Sequence, residues 1–145
     1  MKSLTNSKII SLKELDNFSK EILNFLEKDS IVLLNGTLAA GKTTLVKAIV
    51  KSMGIEDIAV TSPTFSLQQS YGDRVFHYDF YRVDFLDLVN LGIVEEFEKS
   101  GLHFVEWANE ELLDLLKSAD FKIYSITINV PSSSVREYNL EVINA

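Results

Sequence analysis

The chain has 145 residues, of which 46% are apolar and 24% charged, a balance that suits a soluble globular domain rather than a disordered or fibrous segment. The absence of cysteine excludes a disulfide framework and a thiolate metal site, and two separated histidines cannot build a zinc site alone. Fourteen basic against twenty-one acidic side chains leave a net charge of -7, which opposes free-standing binding to nucleic-acid backbones.

The longest purely aliphatic run, Ile31 to Leu34, falls far short of the roughly 18 residues a spanning helix needs. No secretory h-region follows Met1 and Lys2, so a cytoplasmic protein without membrane attachment is expected. Charge is unevenly placed: residues 1–53 carry eight basic and five acidic groups, whereas 54–145 carry six and sixteen. That asymmetry hints at an anion site in the first third.

No repeat, low-complexity tract or long linker interrupts the sequence, so residues 1–145 read as a single domain. From Ser11 to about Lys28, Leu15, Phe18, Ile22, Phe25 and Leu26 share one helical face, and Ser11 with Glu14 matches a capping box. Ile31 to Leu34 then reads as a strand buried on both faces, the habit of parallel sheets. Lys42 to Met53 predicts an amphipathic helix, with Gly54 as its stop.

Thr64–Tyr71 and Arg74–Tyr78 are β-rich and meet at Gly72-Asp73, a hairpin turn. Pro63 keeps Ser62 extended on the approach to it. Asp84 to Lys99 returns to helical spacing with a break near Gly92, Leu102–Val105 is a second buried strand, and Asn109–Lys117 an acidic helix. Tyr124–Val130 and Tyr138–Val142 alternate as strands around the Pro131–Ser134 connector and are expected to pair antiparallel. The fold class is therefore α/β: a sandwich with a mixed sheet flanked by helices.

Gly36-Thr37-Leu38-Ala39-Ala40-Gly41-Lys42-Thr43, followed by Thr44, matches G-x-x-x-x-G-K-[ST] and lies between a buried strand and an amphipathic helix. The glycines let successive backbone N–H groups turn inward on phosphate oxygens, and the positive end of the helix adds field at the same spot. Lys42 is placed to reach the β/γ oxygens, and the Thr43 hydroxyl to complete a Mg²⁺ shell built from phosphates and waters. This is a P-loop NTPase-like site, although a P-loop alone specifies neither base nor reaction.

Other residues could complete such a site. Thr64, after a fixed Pro63, reads by itself first as a strand-start residue and alternatively as a switch threonine whose hydroxyl meets the γ-phosphate and Mg²⁺. Asp79 after a β-run is a candidate Mg²⁺ carboxylate or a plain turn residue. Glu106 follows the Leu102–Val105 strand, at the carboxyl end where α/β sheets place ligands, and can orient a water for attack on phosphorus or simply face solvent. Trp107, the only tryptophan, is core filler or a nucleotide-proximal aromatic. His77 reads as a packed hairpin histidine, Tyr81 as core cover, and Arg82 fits an ion pair or a phosphate.

Thr61-Ser62-Pro63-Thr64-Phe65, His77-Tyr78-Asp79-Phe80-Tyr81-Arg82 and Val105-Glu106-Trp107, in this order after the P-loop, resemble the TsaE (YjeE) family of small bacterial P-loop ATPases. That resemblance implies Mg²⁺ and ATP as ligands and an ATPase of low intrinsic activity. It further implies work with the TsaB and TsaD subunits that place threonylcarbamoyladenosine in tRNA, the tRNA being contacted mainly through those partners. By the same resemblance Lys42, Thr64 and Glu106 are the catalytic set. Thr43, Asp79 and Glu106 are the metal set, and Gly36–Thr44 with Trp107 surround the nucleotide. Three positions depart from the family pattern: Thr37 stands in an acidic place, Ala39 in a glycine's, and Ala108 where proline is common.

Alternative readings are a small P-loop kinase and a nucleotide-gated interaction module that does not need hydrolysis. A kinase usually brings several lid arginines, and the chain has only Arg74, Arg82 and Arg136. The same scarcity leaves few in-cis arginine fingers and predicts slow intrinsic hydrolysis. A GTPase is disfavoured, because neither N-K-x-D nor D-x-x-G occurs.

Overall fold

The computed structural model describes residues 7–37, 40–62 and 65–145. The expected buried strand is β2 (Ser30–Asn35), whose odd and even residues enter different cores: Val32 and Leu34 one, Ile31 and Leu33 the other. Burial on both faces forces helices onto both faces, and the chain supplies them. On one side lie α1 (Leu15–Phe25) and α2 (Lys42–Ser52); on the other lie α3 (Phe85–Asn90), α4 (Ile93–Phe97) and α5 (Glu110–Ser118).

The strands make one eight-stranded mixed sheet. In chain order they are β1 (Ser7–Ser11), β2, β3 (Val60–Thr61), β4 (Gln68–Tyr71), β5 (Val75–Asp79), β6 (Leu102–Glu106), β7 (Ile123–Ser132) and β8 (Val135–Asn144). In space the order is β1-β8-β7-β2-β6-β5-β4-β3. The middle four, β7-β2-β6-β5, run parallel, and an antiparallel pair closes each side. The α/β sandwich with a mixed sheet is thus the observed architecture.

Local chemistry explains most boundaries. The Ser11 backbone N–H donates to Glu14 Oε1 at 2.9 Å, completing the capping box, although the first turn, Leu12–Glu14, is 3-10 and α1 proper starts at Leu15. Asn109 caps α5 by accepting from the Leu112 N–H at 2.8 Å. The expected 84–99 helix is two short helices parted at Leu91–Gly92, and the two expected hairpins, β4/β5 and β7/β8, both form.

Three expectations need correction. The strand expected over 64–71 begins only at Gln68, because Phe65 N–H donates to Ser62 Oγ and Gln68 N–H to Phe65 O, both at 3.0 Å, curling the chain into a turn. The connector expected at Pro131–Ser134 is partly strand, since β7 runs on to Ser132 through a register shift. Two strands escape the sequence pattern altogether: β1, which pairs with β8, and the two-residue β3, which pairs with β4.

Candidate functional site

Parallel pairing sets the site's geometry before any side chain is considered. Leu34, Glu106 and Asp79 are register partners on β2, β6 and β5, so the two carboxylates sit side by side at the carboxyl edge, level with the exit of β2 into the glycine loop. Alternation puts His77, Asp79, Phe104 and Glu106 on the sheet face that α2 covers. Lys42, the first residue of α2, enters over that same face.

The loop between β2 and α2 is tightly held where it leaves the sheet. A Cβ on Gly36 would lie 2.8 Å from the Ile128 carbonyl oxygen, and its φ of +152° is rarely open to other residues. Gly36 is therefore fixed by close approach as well as by turn geometry. Ala40 is fully buried, Thr43 and Thr44 are exposed, and Thr37 is exposed at the loop's start. Leu38, Ala39 and Thr64 lie outside the described residues.

Lys42 is only 4% exposed, and its ammonium needs partners. It donates to Gly36 O at 3.0 Å and pairs with Glu106 Oε1 at 3.2 Å, while Nζ stands 5.2 Å from the centre of the Trp107 ring. The other Glu106 oxygen, Oε2, accepts from His77 Nε2 at 2.6 Å. Burial works against the Glu106 charge, but the His77 hydrogen bond and the His77 and Lys42 charges outweigh it and hold the carboxyl below its usual range. Asp79 is exposed and accepts from the Tyr81 N–H at 3.0 Å.

Trp107 has a φ of +61° and Arg82 one of +57°, left-handed conformations that cost bulky side chains energy. They lie together: the Tyr81 and Trp107 rings meet edge to face at 5.1 Å, and the Arg82 guanidinium is 5.0 Å from the Tyr81 ring. Trp107 is 46% exposed, so it does not fill the core; Tyr81, also exposed, does not cover it either.

Two hollows flank the P-loop. A cleft of about 570 Å³ is lined by Thr43, Thr61, Ser66, His77, Asp79, Tyr81 and Glu106 among others. A smaller one, about 290 Å³, lies against Ala40, Gly41 and Thr44 and is walled by Ile10, Leu12, Tyr138 and Arg136. Arg136 Nε donates to Ala40 O at 3.0 Å, tying β8 to the loop. Sequence reasoning misses this wall, because nothing local marks residues near both termini as neighbours of the glycine loop; the pairing of β1 with β8 brings them there.

The cleft brings together Thr43, Asp79 and Glu106, an all-oxygen donor set. Among the described residues no cluster of three or more His, Cys, Asp or Glu could hold an ion by itself. Such a set fits Mg²⁺ arriving with phosphate oxygens, since that ion usually takes one or two carboxylates and fills its remaining positions from substrate and water.

The model of one protein family, described as threonylcarbamoyl adenosine biosynthesis protein TsaE, matches residues 9–137. The chain belongs to the TsaE family. Proteins named tRNA threonylcarbamoyladenosine biosynthesis protein TsaE are similar to it. That of Rickettsia prowazekii is 38% identical over 102 residues, 68% of this chain and 70% of the other. That of Aquifex aeolicus is 37% identical over 97 residues, 64% and 68% of the two chains. The crystal structure of Bacillus subtilis YdiB superposes with a TM-score of 0.67 at 24% identity, covering 96% of this chain and 86% of that one, a likeness of fold. The chain is thus a TsaE-family protein of tRNA threonylcarbamoyladenosine biosynthesis, with an α/β fold shared by YdiB.

Proposed function

We propose that this TsaE-family chain is a Mg²⁺-dependent ATP-binding subunit of the threonylcarbamoyladenosine machinery that hydrolyses ATP slowly and acts with the TsaB–TsaD pair. The observation that carries the reading is the meeting of the P-loop lysine with a strand-end carboxylate, Lys42 Nζ to Glu106 Oε1 at 3.2 Å, beside Asp79 and at the mouth of the larger cleft. Lys42 and the backbone N–H groups of Gly36–Thr44 bind the phosphates. Thr43, Asp79 and Glu106 hold the cation, which neutralises phosphate charge when bound. Glu106 orients the attacking water, Thr64 reaches the γ-phosphate, and Trp107 stands near the nucleotide.

The smaller hollow beside Ala40, Gly41 and Thr44 is the place we assign to the base, with Ile10 and Leu12 offering apolar contact. Slow hydrolysis follows from the arginines. None lines the larger cleft among the described residues. Arg136 is engaged by the carbonyls of Ala40, Ser132 and Val135, and Arg74 sits at the opposite edge of the sheet, before β5. An activating cation would then come from a partner.

We also read the chain as one P-loop ATPase domain, because a single sheet takes strands from residue 7 to residue 144. No described helix is long and apolar enough to cross a membrane, and the net charge of -7 favours tRNA contacts made through partners in the cytoplasm. The test is a pull-down and an ATPase assay with and without the TsaB–TsaD pair. Thr43→Ala is expected to lose complex formation, and Glu106→Ala to lose turnover. Fast turnover by the isolated chain, unchanged by partners, would overturn the reading.

A further inference from the structure

The two oxygens of Glu106 are held by different elements: Oε1 by Lys42 at the start of α2, Oε2 by His77 on β5. The two clamps differ in kind. Lys42 already divides its donors between Gly36 O and Glu106, and phosphate oxygens entering the loop compete for the same ammonium with more charge than one carboxylate. Nucleotide therefore draws Lys42 from Glu106 and leaves Oε1 without the contact that fixes it on that side.

His77 does not belong to the loop. It sits in the sheet, 7% exposed, in register with Phe104 and diagonal to Glu106 on the same face, within reach of long side chains across a strand pair. An ionised carboxylate only accepts, so Nε2–H is the donor of the 2.6 Å bond. We propose that His77 is a positioning residue: it keeps the Glu106 carboxylate aimed into the cleft once Lys42 turns to the phosphates. The inference rests on the reading of Glu106 as the water-orienting group.

The contact is made by Nε2, and this distinguishes two amides. The side-chain nitrogen of glutamine lies about as far along the side chain as Nε2, whereas that of asparagine corresponds to Nδ1. In single-turnover phosphate release by the full-length chain with Mg·ATP, His77→Asn should slow turnover about 10- to 100-fold, the usual loss when an orienting partner is removed. Affinity for a non-hydrolysable ATP analogue should stay within about threefold, the signature of an interaction needed for chemistry rather than for binding. His77→Gln should recover most of the rate. His77→Asn leaves a donor that falls short of Glu106, and His77→Leu, which has none, serves as a second variant should the asparagine loosen the strand.

In a Glu106→Gln background, His77→Asn should cause no further loss. Three results would overturn the proposal: an unchanged rate in both the asparagine and leucine variants, an equal additional loss in the Glu106→Gln background, or a loss of affinity as large as the loss of rate. If Glu106→Gln itself turned over like wild type, the catalytic reading of Glu106 would fail and carry this inference down with it. If Glu106→Gln were inactive while the asparagine and leucine variants both ran at the wild-type rate, the inference alone would fail.

Discussion

At the amino-terminal ends of β2, β5 and β6 the polar groups close on one another. Ser30 N–H donates to Gly101 O, Leu102 N–H to Arg74 O, and Gly101 N–H to Asp29 Oδ1. His103, 1% exposed, donates from Nε2 to Lys99 O and accepts at Nδ1 from the Tyr78 hydroxyl, which in turn accepts from Gln68. At the carboxyl-terminal ends of the same strands the pattern differs: one carboxylate is shared by a lysine and a histidine, and the neighbouring tryptophan is half-exposed in a left-handed conformation. The first set is tied mostly by neutral backbone and buried side-chain bonds, Gln68 Nε2 donating to Glu96 Oε1 as well. The second is held by ionic contacts that a phosphate can replace, and strain is kept beside it. Stability and ligand exchange are thus placed at opposite ends of the same strands, as α/β sheets generally place them.

The largest effect that tests this division is chemical. Glu106→Gln keeps size but turns one of the two acceptor oxygens into a donor and removes the charge that orients water, and turnover should fall about 10²- to 10⁴-fold, measured as single-turnover phosphate release. Nucleotide should still bind through the loop and Lys42. Lys42→Ala should act on binding instead. Losing charge-assisted bonds worth about 1.5–3 kcal/mol should weaken affinity by about 10- to 150-fold, read by calorimetry. If Lys42→Ala bound ATP as wild type does, the carboxyl edge would not be the exchangeable one.

The loop, its lysine and the following helix are legible in the sequence because one short run from Gly36 to Thr43 contains the whole device, and β2 announces itself by an unbroken apolar stretch. What escapes is whatever depends on register. Asp79 and Glu106 are neighbours only because β5 and β6 pair in parallel, and His77 reads as a packed hairpin residue because alternation points it inward without naming what it meets there. The β1 strand is hidden because only Ile10 of its residues is buried, and β3 because two residues carry no period. Arg136 on the P-loop carbonyl of Ala40 is a contact between distant parts of the chain that no local pattern encodes.

The amino edge should answer in stability. Gly101 has a φ of +132°, and an added Cβ would lie 2.3 Å from the Arg74 carbonyl oxygen, a backbone atom that cannot move without breaking the β5–β6 start. Gly101→Ala should cost at least about 1–3 kcal/mol from backbone strain, seen as a lower urea midpoint with unchanged slope. Nucleotide affinity of the folded fraction should match wild type. A larger change in affinity than in stability would show that the two ends are coupled.

The smallest effect is a pH dependence carried by His103. Burial disfavours its charged form most; the Lys99 carbonyl and the charges of Glu96 and Asp29 pull the other way and Lys99 adds to the fall, leaving the ring below the ordinary histidine value of 6.5. Protonation would also put a hydrogen on Nδ1, where the Tyr78 hydroxyl now donates. The folded state therefore binds fewer protons than the unfolded one. The stability His103 contributes is full above pH 6.5 and is lost as pH falls from there through its depressed folded value. Glu106 and Glu14, also held low, lose theirs only below 4.5, outside that upper interval. Wild type should weaken from about pH 7 to about pH 5 by no more than about 1.4 kcal/mol per pH unit, the limit for one proton. His103→Gln, which keeps a donor for Lys99 O and cannot titrate, should start less stable and lose less across that interval. Equal slopes in the two would move the acid sensitivity to another group and leave the amino edge without a titrating member.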